Sequence, residues 1–308
     1  MNKNRTVQLI KNKDGYGITF NAMASPCEVI IQSMDKPLVT QLADLITNEV
    51  WRIEDKYSRY NKLSVCSAIN NNAGRSVSID QETYLLLNFA EQCYQLSDGL
   101  FDISSGVLRK VWSFKGDKNE TDNFPTVKKI NAMLCRVGWR KIHFDQTQII
   151  LAKGMEIDFG GIGKEYAVDR AIQVAKQLTQ SPVLVNLGGD LAVTSCRLNN
   201  EPWQVAIEHP DSNSDSYDNT STDMIVSLKT GALATSGDAR RYLIKDGKRY
   251  SHILNAKTGW PINDAPRSIT VVAPQCIQAG ILATLGLLQG NHAEEFLTEQ
   301  EIQYWARR

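Results

Sequence analysis

One stretch constrains this chain more than any other: Ile157-Asp158-Phe159-Gly160-Gly161-Ile162-Gly163-Lys164-Glu165-Tyr166-Ala167-Val168-Asp169. An apolar residue and a carboxylate lead into a glycine cluster, then a lysine, then the start of a helix. Glycines at a strand-to-helix turn let backbone approach a ligand closely, and free N–H groups at a helix start attract phosphate. The pattern is a near miss for the phosphate loop of the P-loop NTPases, which needs a glycine five places before the Gly-Lys pair and Ser or Thr after it. Asp158 and Glu165 stand at those places, so that assignment fails. The plainer reading is a tight turn carrying a solvated lysine. What argues against it is the company the segment keeps.

Composition removes several classes. Lys+Arg and Asp+Glu balance at 34 each, so no basic excess points to nucleic acid. Cysteines 27, 66, 93, 135, 196 and 276 are scattered without a Cys-x-x-Cys, which indicates neither a zinc site nor a disulfide framework. Met1 to Asp14 is polar, with no signal peptide, and no apolar run reaches transmembrane length. A cytoplasmic chain is therefore expected as written; a secreted or lipoprotein form trimmed of its leader would read the same way. With 308 residues, one domain over 1–308 is expected.

Apolar spacing predicts helices over Pro37–Tyr57, Glu82–Ser97 and Tyr166–Leu178. Val183–Leu187 reads as a strand running into Gly188-Gly189-Asp190, and Met224–Leu228, Tyr242–Lys245 and Ser268–Val272 as further strands. Glu208–Asp223 is polar and reads as a surface loop, while Gln275–Gln289 is apolar on several faces and reads as a buried helix. Without regular βαβ spacing, these elements predict an α+β fold. The expectation is mixed sheets flanked by helices, in two closely packed lobes around one cleft.

Other turns also carry polar groups. Leu100-Phe101-Asp102 follows Ser97-Asp98-Gly99; its plain reading is a helix C-cap with Phe101 in the core. Ala234-Thr235-Ser236-Gly237-Asp238 offers two hydroxyls and a carboxylate at a turn. Arg249-Tyr250-Ser251-His252-Ile253-Leu254 places a histidine at a strand end before Lys257-Thr258-Gly259-Trp260-Pro261, and a lone histidine is more often structural than catalytic.

Taken in order, these segments resemble the ApbE-type FAD:protein FMN transferases (flavin transferases). Met23-Ala24-Ser25-Pro26-Cys27 is similar to that family's Met-Gly-Thr start. Ser58-Arg59-Tyr60 with Ser64 and Asn70 resembles its Ser-x-Tyr…Ser…Asn, and Gly99-Leu100-Phe101-Asp102 its Gly-Ala-Phe-Asp. The glycine–lysine segment, Asn186-Leu187-Gly188-Gly189-Asp190, Thr235-Ser236-Gly237 and Ser251-His252-Ile253 with Thr258-Gly259 follow in the family's order. The resemblance implies transfer of FMN from FAD onto a Thr or Ser hydroxyl of an acceptor protein, with release of AMP and assistance from Mg²⁺. It implies one flavin cleft, with FAD contacts at Met23, Tyr60, Leu100, Phe101, Asp102, Gly160, Lys164, Tyr166 and Leu254. Phe101, Tyr60 and Met23 offer flat or soft surfaces to rings, and Lys164 a mobile charge to phosphate. His252 is the candidate for handling the hydroxyl proton. The partners implied are FAD and the acceptor protein.

The metal set is where the chain departs from this pattern. The family's Mg²⁺ ligands correspond to a backbone carbonyl here at Gly163 and to an Asp and a Thr one helical turn apart. Thr284 is present, but Gly280 stands at the position of the Asp. Residues four apart share a helix face, and Mg²⁺ favours carboxylate and phosphate oxygens. Two smaller departures are Glu165, where the family usually has Gly, and Asn255-Ala256, where it usually has Asp-Pro. Three readings stay open. In the first, the transferase is active because FAD's phosphates bring the ion, or because Glu165 or Asp158 compensates. In the second, the chain binds FAD with weak or no transferase activity. The third is a natural or laboratory substitution at Gly280 in an otherwise ordinary enzyme. Gly280→Asp is expected to restore the ion unless a neighbour fills the glycine's space.

Overall fold

A computed structural model describes residues 5–114, 124–208, 224–239 and 241–308. Apart from Glu208, the predicted polar loop over 208–223 lies outside the described residues. The centre is an eight-stranded antiparallel sheet built from both ends of the chain. Its strands, in spatial order, are β1 (Gln8–Asn12), β2 (Gly15–Ala22), β3 (Ser25–Ile31), β7 (Val183–Leu187), β8 (Asp190–Val193), β11 (Gly231–Gly237), β14 (Ser268–Ala273) and β15 (Gln303–Arg307). Strand pairing therefore joins residues more than 150 positions apart: Val29 faces Val185 across β3 and β7.

The middle of this sheet is buried on both faces, and alternation assigns each side chain to one of them. Val183, Val185, Leu187, Ala192, Ala232 and Ala234 point into the main core. Their neighbours Leu184, Leu191, Val193 and Leu233 point the other way, under the ladder of β9 (Trp203–Ile207) and β10 (Met224–Leu228). The main-core face is covered by three helices: α1 (Lys36–Tyr57), α5 (Gly163–Leu178) and α6 (Cys276–Leu288). In α1 the buried residues Val39, Leu42, Ala43, Ile46, Val50 and Ile53 form one stripe, and Asp35 caps its start by accepting the Leu38 amide at 3.2 Å. Helix α6 is apolar nearly all round because it lies between the sheet, α5 and the short helix α7 (Ala293–Glu299).

Two smaller assemblies flank this body. A three-stranded sheet of β4 (Ser76–Ser78), β6 (Gln148–Leu151) and β5 (Ile142–Phe144) packs with α2 (Val65–Asn71) and α3 (Gln81–Leu96). A second apolar cluster joins the 3-10 helix Ile103–Lys110, α4 (Val127–Leu134) and the hairpin of β12 (Tyr242–Lys245) and β13 (Lys248–Ser251). The fold is α+β with mixed helices and antiparallel sheets, as expected. The predicted helices shift only at their ends. Helix α5 starts at Gly163 instead of Tyr166, because the glycine turn itself closes into the helix: the Gly163 amide donates to the Phe159 carbonyl at 2.7 Å. No strand leads into that turn. Residues 155–159 belong to no ladder and are held by the Asn70 side chain and by the neighbouring 3-10 helix.

Candidate functional site

The segment Ile157–Gly163 is pinned from two sides. Asn70 on α2 brackets Ile157, accepting its amide at 2.7 Å and donating to its carbonyl at 2.9 Å. The Asp158 amide donates to the Ile103 carbonyl at 2.9 Å. Ile157 and Phe159 sink into the core, which leaves Asp158 on the surface side. There it pairs with Arg59 and accepts the Gly160 amide at 3.0 Å. Gly160, Gly161 and Gly163 all lie at ordinary negative φ, so backbone freedom is not their reason. At Gly161 the reason is room: a Cβ there would sit 3.2 Å from the Phe101 ring.

Phe101 reaches that glycine because α3 ends in a left-handed turn, Asp98 at φ 48° and Gly99 at φ 77°. Phe101 is buried, so the plain C-cap reading describes its packing. Asp102 is also buried, and both its carboxylate oxygens are engaged: Oδ1 accepts the Ser104 amide and Oδ2 the Trp139 amide, each at 2.8 Å. Burial raises its pKa above the ordinary value against the pull of those bonds. Leu100 beside it is half-buried. Tyr60 is 65% exposed, under the Arg59 guanidinium at 4.9 Å, and its hydroxyl accepts from Arg59 at 2.8 Å. Met23 occupies the β2–β3 turn at φ 51°, its amide held by Glu54 at 2.8 Å. Leu254 bridges to Pro261, and this loop docks beside the Phe101 segment: Trp112 donates to the Gly259 carbonyl at 2.8 Å and Lys257 pairs with Asp98 at 2.7 Å.

The other end of the glycine segment is polar and largely buried. The Lys164 ammonium lies 2.7 Å from Asp190 Oδ2 at the start of β8. Burial alone would lower the Lys164 pKa, but the charges of Asp190 and Glu165 outweigh it and raise it. Asp190 Oδ1 accepts the Thr235 amide at 3.1 Å, and the adjacent Ser236 hydroxyl lies 2.7 Å from that of Thr284 on α6. Glu165 is 92% buried, the complement of its 8% exposure, and burial followed by the Asp190 charge pushes its carboxyl well above the usual range. Its Oε2 has no hydrogen-bond partner among the described residues. Gly280 on α6 faces it directly: a Cβ there would lie 2.5 Å from Glu165 Cγ. Asp169, one turn further along α5, holds α6 in place by accepting the Cys276 and Ile277 amides at 2.8 and 2.9 Å.

Two candidates stand apart from these groups in their bonding. Tyr166 donates to Glu82 at 2.8 Å and so joins a charged network with Arg52 and Lys56 across α1, α3 and α5. His252, one residue past β13, donates from Nδ1 to the Arg241 carbonyl at 3.2 Å, which leaves Nε2 as the basic nitrogen. Burial, then the Arg241 charge, depresses its pKa, so the imidazole is neutral at pH 7. A cavity of about 250 Å³ is lined by Ser251, Ile253, Asp238 and Arg267, and a hollow of about 540 Å³ by Pro26, Cys27, Gly188 and Gly189. Neither is lined by Phe101, Lys164 or Glu165.

Arg59, Glu54, Asp169 and Asp190 carry structural weight beyond the residues that the resemblance singles out. Asp190 was signalled by the Gly-Gly turn before it; Glu54 and Asp169 are surface-like acids on helical stripes with no local signal. No cluster of three or more His, Cys, Asp and Glu able to hold a metal occurs among the described residues. The orphaned Glu165 oxygen, the Thr284 hydroxyl and Asp190 are nonetheless hard oxygen donors of the kind Mg²⁺ takes alongside water and phosphate.

Residues 23–306 match the ApbE family model. The chain is 28% identical over 239 residues to the FAD:protein FMN transferase of Haemophilus influenzae, which covers 75% of this chain and 68% of that protein. It is 29% identical over 260 residues to the FAD:protein FMN transferase of Vibrio cholerae, covering 83% and 74%. Its fold matches the crystal structure of the ApbE protein of Thermotoga maritima with a TM-score of 0.82 at 28% identity, covering 98% of this chain and 94% of that one. With a match that runs from Met23 past Thr284, the chain belongs to the ApbE family.

Proposed function

We propose that this protein transfers FMN from FAD to a Thr or Ser hydroxyl of an acceptor protein and releases AMP. The observation that carries this reading is the Lys164–Asp190 pair at the first turn of α5, one residue past a glycine segment that packs against Phe101. A cation fixed by one carboxylate at a helix N-terminus can receive a pyrophosphate next to a surface where rings can lie. FAD would contact Met23, Tyr60, Leu100, Gly160, Lys164 and Leu254 directly. Phe101 and Tyr166 would set the shape of the cleft. Asp102, with both oxygens engaged by amides, would hold the loop that presents Leu100 and Phe101.

The reaction needs the acceptor oxygen to bond to the FMN phosphorus while the bond from that phosphorus to the AMP oxygen breaks. The acceptor proton passes to a base, and the neutral His252 with Nε2 free is suited to take it. Lys164 offsets the negative charge that accumulates on the pyrophosphate oxygens. The Gly163 carbonyl, Thr284 and the carboxyl group facing Gly280 would hold Mg²⁺, which when bound supplies further neutralisation of that charge. A buried carboxyl in the space opened by Gly280 favours the active reading over an FAD-binding member without activity.

The test is incubation with FAD, Mg²⁺ and an acceptor protein, reading AMP by chromatography and FMN addition to the acceptor by mass spectrometry. Stoichiometric AMP and flavinylated acceptor are expected. FAD bound without either product would leave the FAD-binding reading in its place.

A further inference from the structure

We propose that Glu165 supplies, from α5, the metal-binding carboxylate that Gly280 cannot supply from α6. The inference rests on the transferase reading and identifies this chain's own ligand for a divalent cation. A Cβ on Gly280 would lie 2.5 Å from Glu165 Cγ and 3.0 Å from both Cδ and Oε1, so the Glu165 carboxyl occupies the space a side chain at 280 would enter. Thr284 lies one helical turn beyond Gly280 on α6, so its hydroxyl shares that face. Burying a carboxyl oxygen without a partner costs stability, yet Glu165 Oε2 is both buried and unpartnered among the described residues. Asp190 Oδ2 also lacks a hydrogen bond, but it lies 2.7 Å from the Lys164 ammonium. The carboxyl thus sets Oε1 against the glycine and leaves Oε2 without a partner. The remaining ligands of a hard cation would come from the Thr284 hydroxyl, backbone carbonyl, water and substrate phosphate.

The two positions also exclude each other. A lone Gly280→Asp change would drive its Cβ into Glu165, so the simple restoration expected from sequence does not apply to this chain. The carboxylate must sit on one helix or the other.

Mn²⁺ binding, measured by electron paramagnetic resonance and calorimetry on the full-length protein with and without FAD, tests this directly. Glu165→Gln keeps the shape and removes the charge; it is expected to weaken Mn²⁺ binding at least about tenfold, the scale of lost support around a metal ligand. Glu165→Gly with Gly280→Asp is expected to recover binding to within a few-fold of the parent, whereas Gly280→Asp alone lowers the melting temperature. The inference is overturned if Glu165→Gln binds Mn²⁺ like the parent, or if the folded double variant fails to recover binding. It is overturned also if the parent binds FAD but no Mn²⁺, a result that leaves the flavin reading intact. Mn²⁺ bound through Glu165 in a protein that binds no FAD has the opposite meaning: the inference stands and the flavin reading falls.

Discussion

The two ends of the segment from Ile157 to Asp169 are built on different principles. At the Phe101 end, backbone turns do the positioning. The left-handed step at Asp98 and Gly99 leads Phe101 against Gly161, and the bracket of Asn70 fixes Ile157. At the Lys164 end, side-chain charge does it. Lys164, Glu165 and Asp190 are packed where β8 and β11 meet α5 and α6, and the Lys164 charge offsets both carboxyl groups. The turn-built end tolerates the loss of an exposed side chain such as Tyr60; a buried charge cluster has none to spare.

The largest effect should follow from breaking the charged end. Lys164→Met leaves Asp190 buried beside Glu165 without its cation and is expected to cost about 3 kcal/mol of unfolding free energy, read by urea denaturation. Adding Asp190→Asn should return most of that stability and none of the AMP release. If Lys164→Met unfolds at the parent's urea midpoint, the ends do not differ in the way argued. At the Phe101 end the contrast lies between two rings. Phe101→Ala opens the core and should also cost about 3 kcal/mol, so its effect on FAD cannot be separated from packing. Tyr60 is the clean probe. Its ring is exposed, so Tyr60→Ala should change stability by no more than about 0.5 kcal/mol while weakening FAD binding in a fluorescence titration.

The same contrast decides what the sequence could reveal. The turn-built end is legible because its information is local. Gly99 after a helical stripe, the Gly160-Gly161 pair and Gly188-Gly189 announce themselves, and the helices α1, α3 and α6 were bounded within one or two residues. The charged end is legible only as single letters. That Glu165 fills the space of Gly280 is a contact between residues 115 positions apart, the difference of their numbers, created when α5 and α6 pack. Nothing near either residue marks it. Strands β1 to β3 are hard to read for a related reason: β3 finds its outer partner in β7, more than 150 positions away, and the hairpin turn at Met23 and Ala24 uses left-handed residues that are not glycine. The segment before Gly160 likewise gets its hydrogen bonds from a distance, from Asn70 and Ile103.

A middle-sized effect tests whether the α5–α6 contact is what holds the charged end together. Asp169 accepts two amides at the start of α6, and Asp169→Ala leaves both without that partner. The expected cost is about 1–2 kcal/mol, the range of a lost helix cap. If α6 is aligned by this cap, Mn²⁺ affinity should fall as well, although Asp169 is not placed among the ligands. Asp169→Asn, which keeps an acceptor, should retain most of both. Equal loss in Ala and Asn would mean that charge, not the cap, is what matters there.

The smallest expected effect concerns His252, which belongs to neither end and reports on whether a third element completes the site. Its pKa is depressed by burial and by Arg241, so the folded protein resists the proton that the unfolded chain accepts near the ordinary imidazole value of about 6.5. The unfolded state therefore binds more protons in the window below that value, and stability must fall as pH falls, until the folded imidazole also protonates. His252→Gln removes this contribution, so its stability should decline less steeply than the parent's from pH 7 toward pH 5. The ring is only partly buried, so the difference should be modest. The kinetic consequence is sharper. A general base with a lowered pKa stays competent in mildly acidic buffer, so kcat/KM for flavin transfer should hold below pH 6.5 and drop only where the folded imidazole protonates. His252→Gln should flatten that limb and lower kcat without changing FAD affinity. An acid limb unchanged in His252→Gln would assign the proton to another group and detach the β13 loop from the chemistry, while leaving the contrast between the two ends untouched.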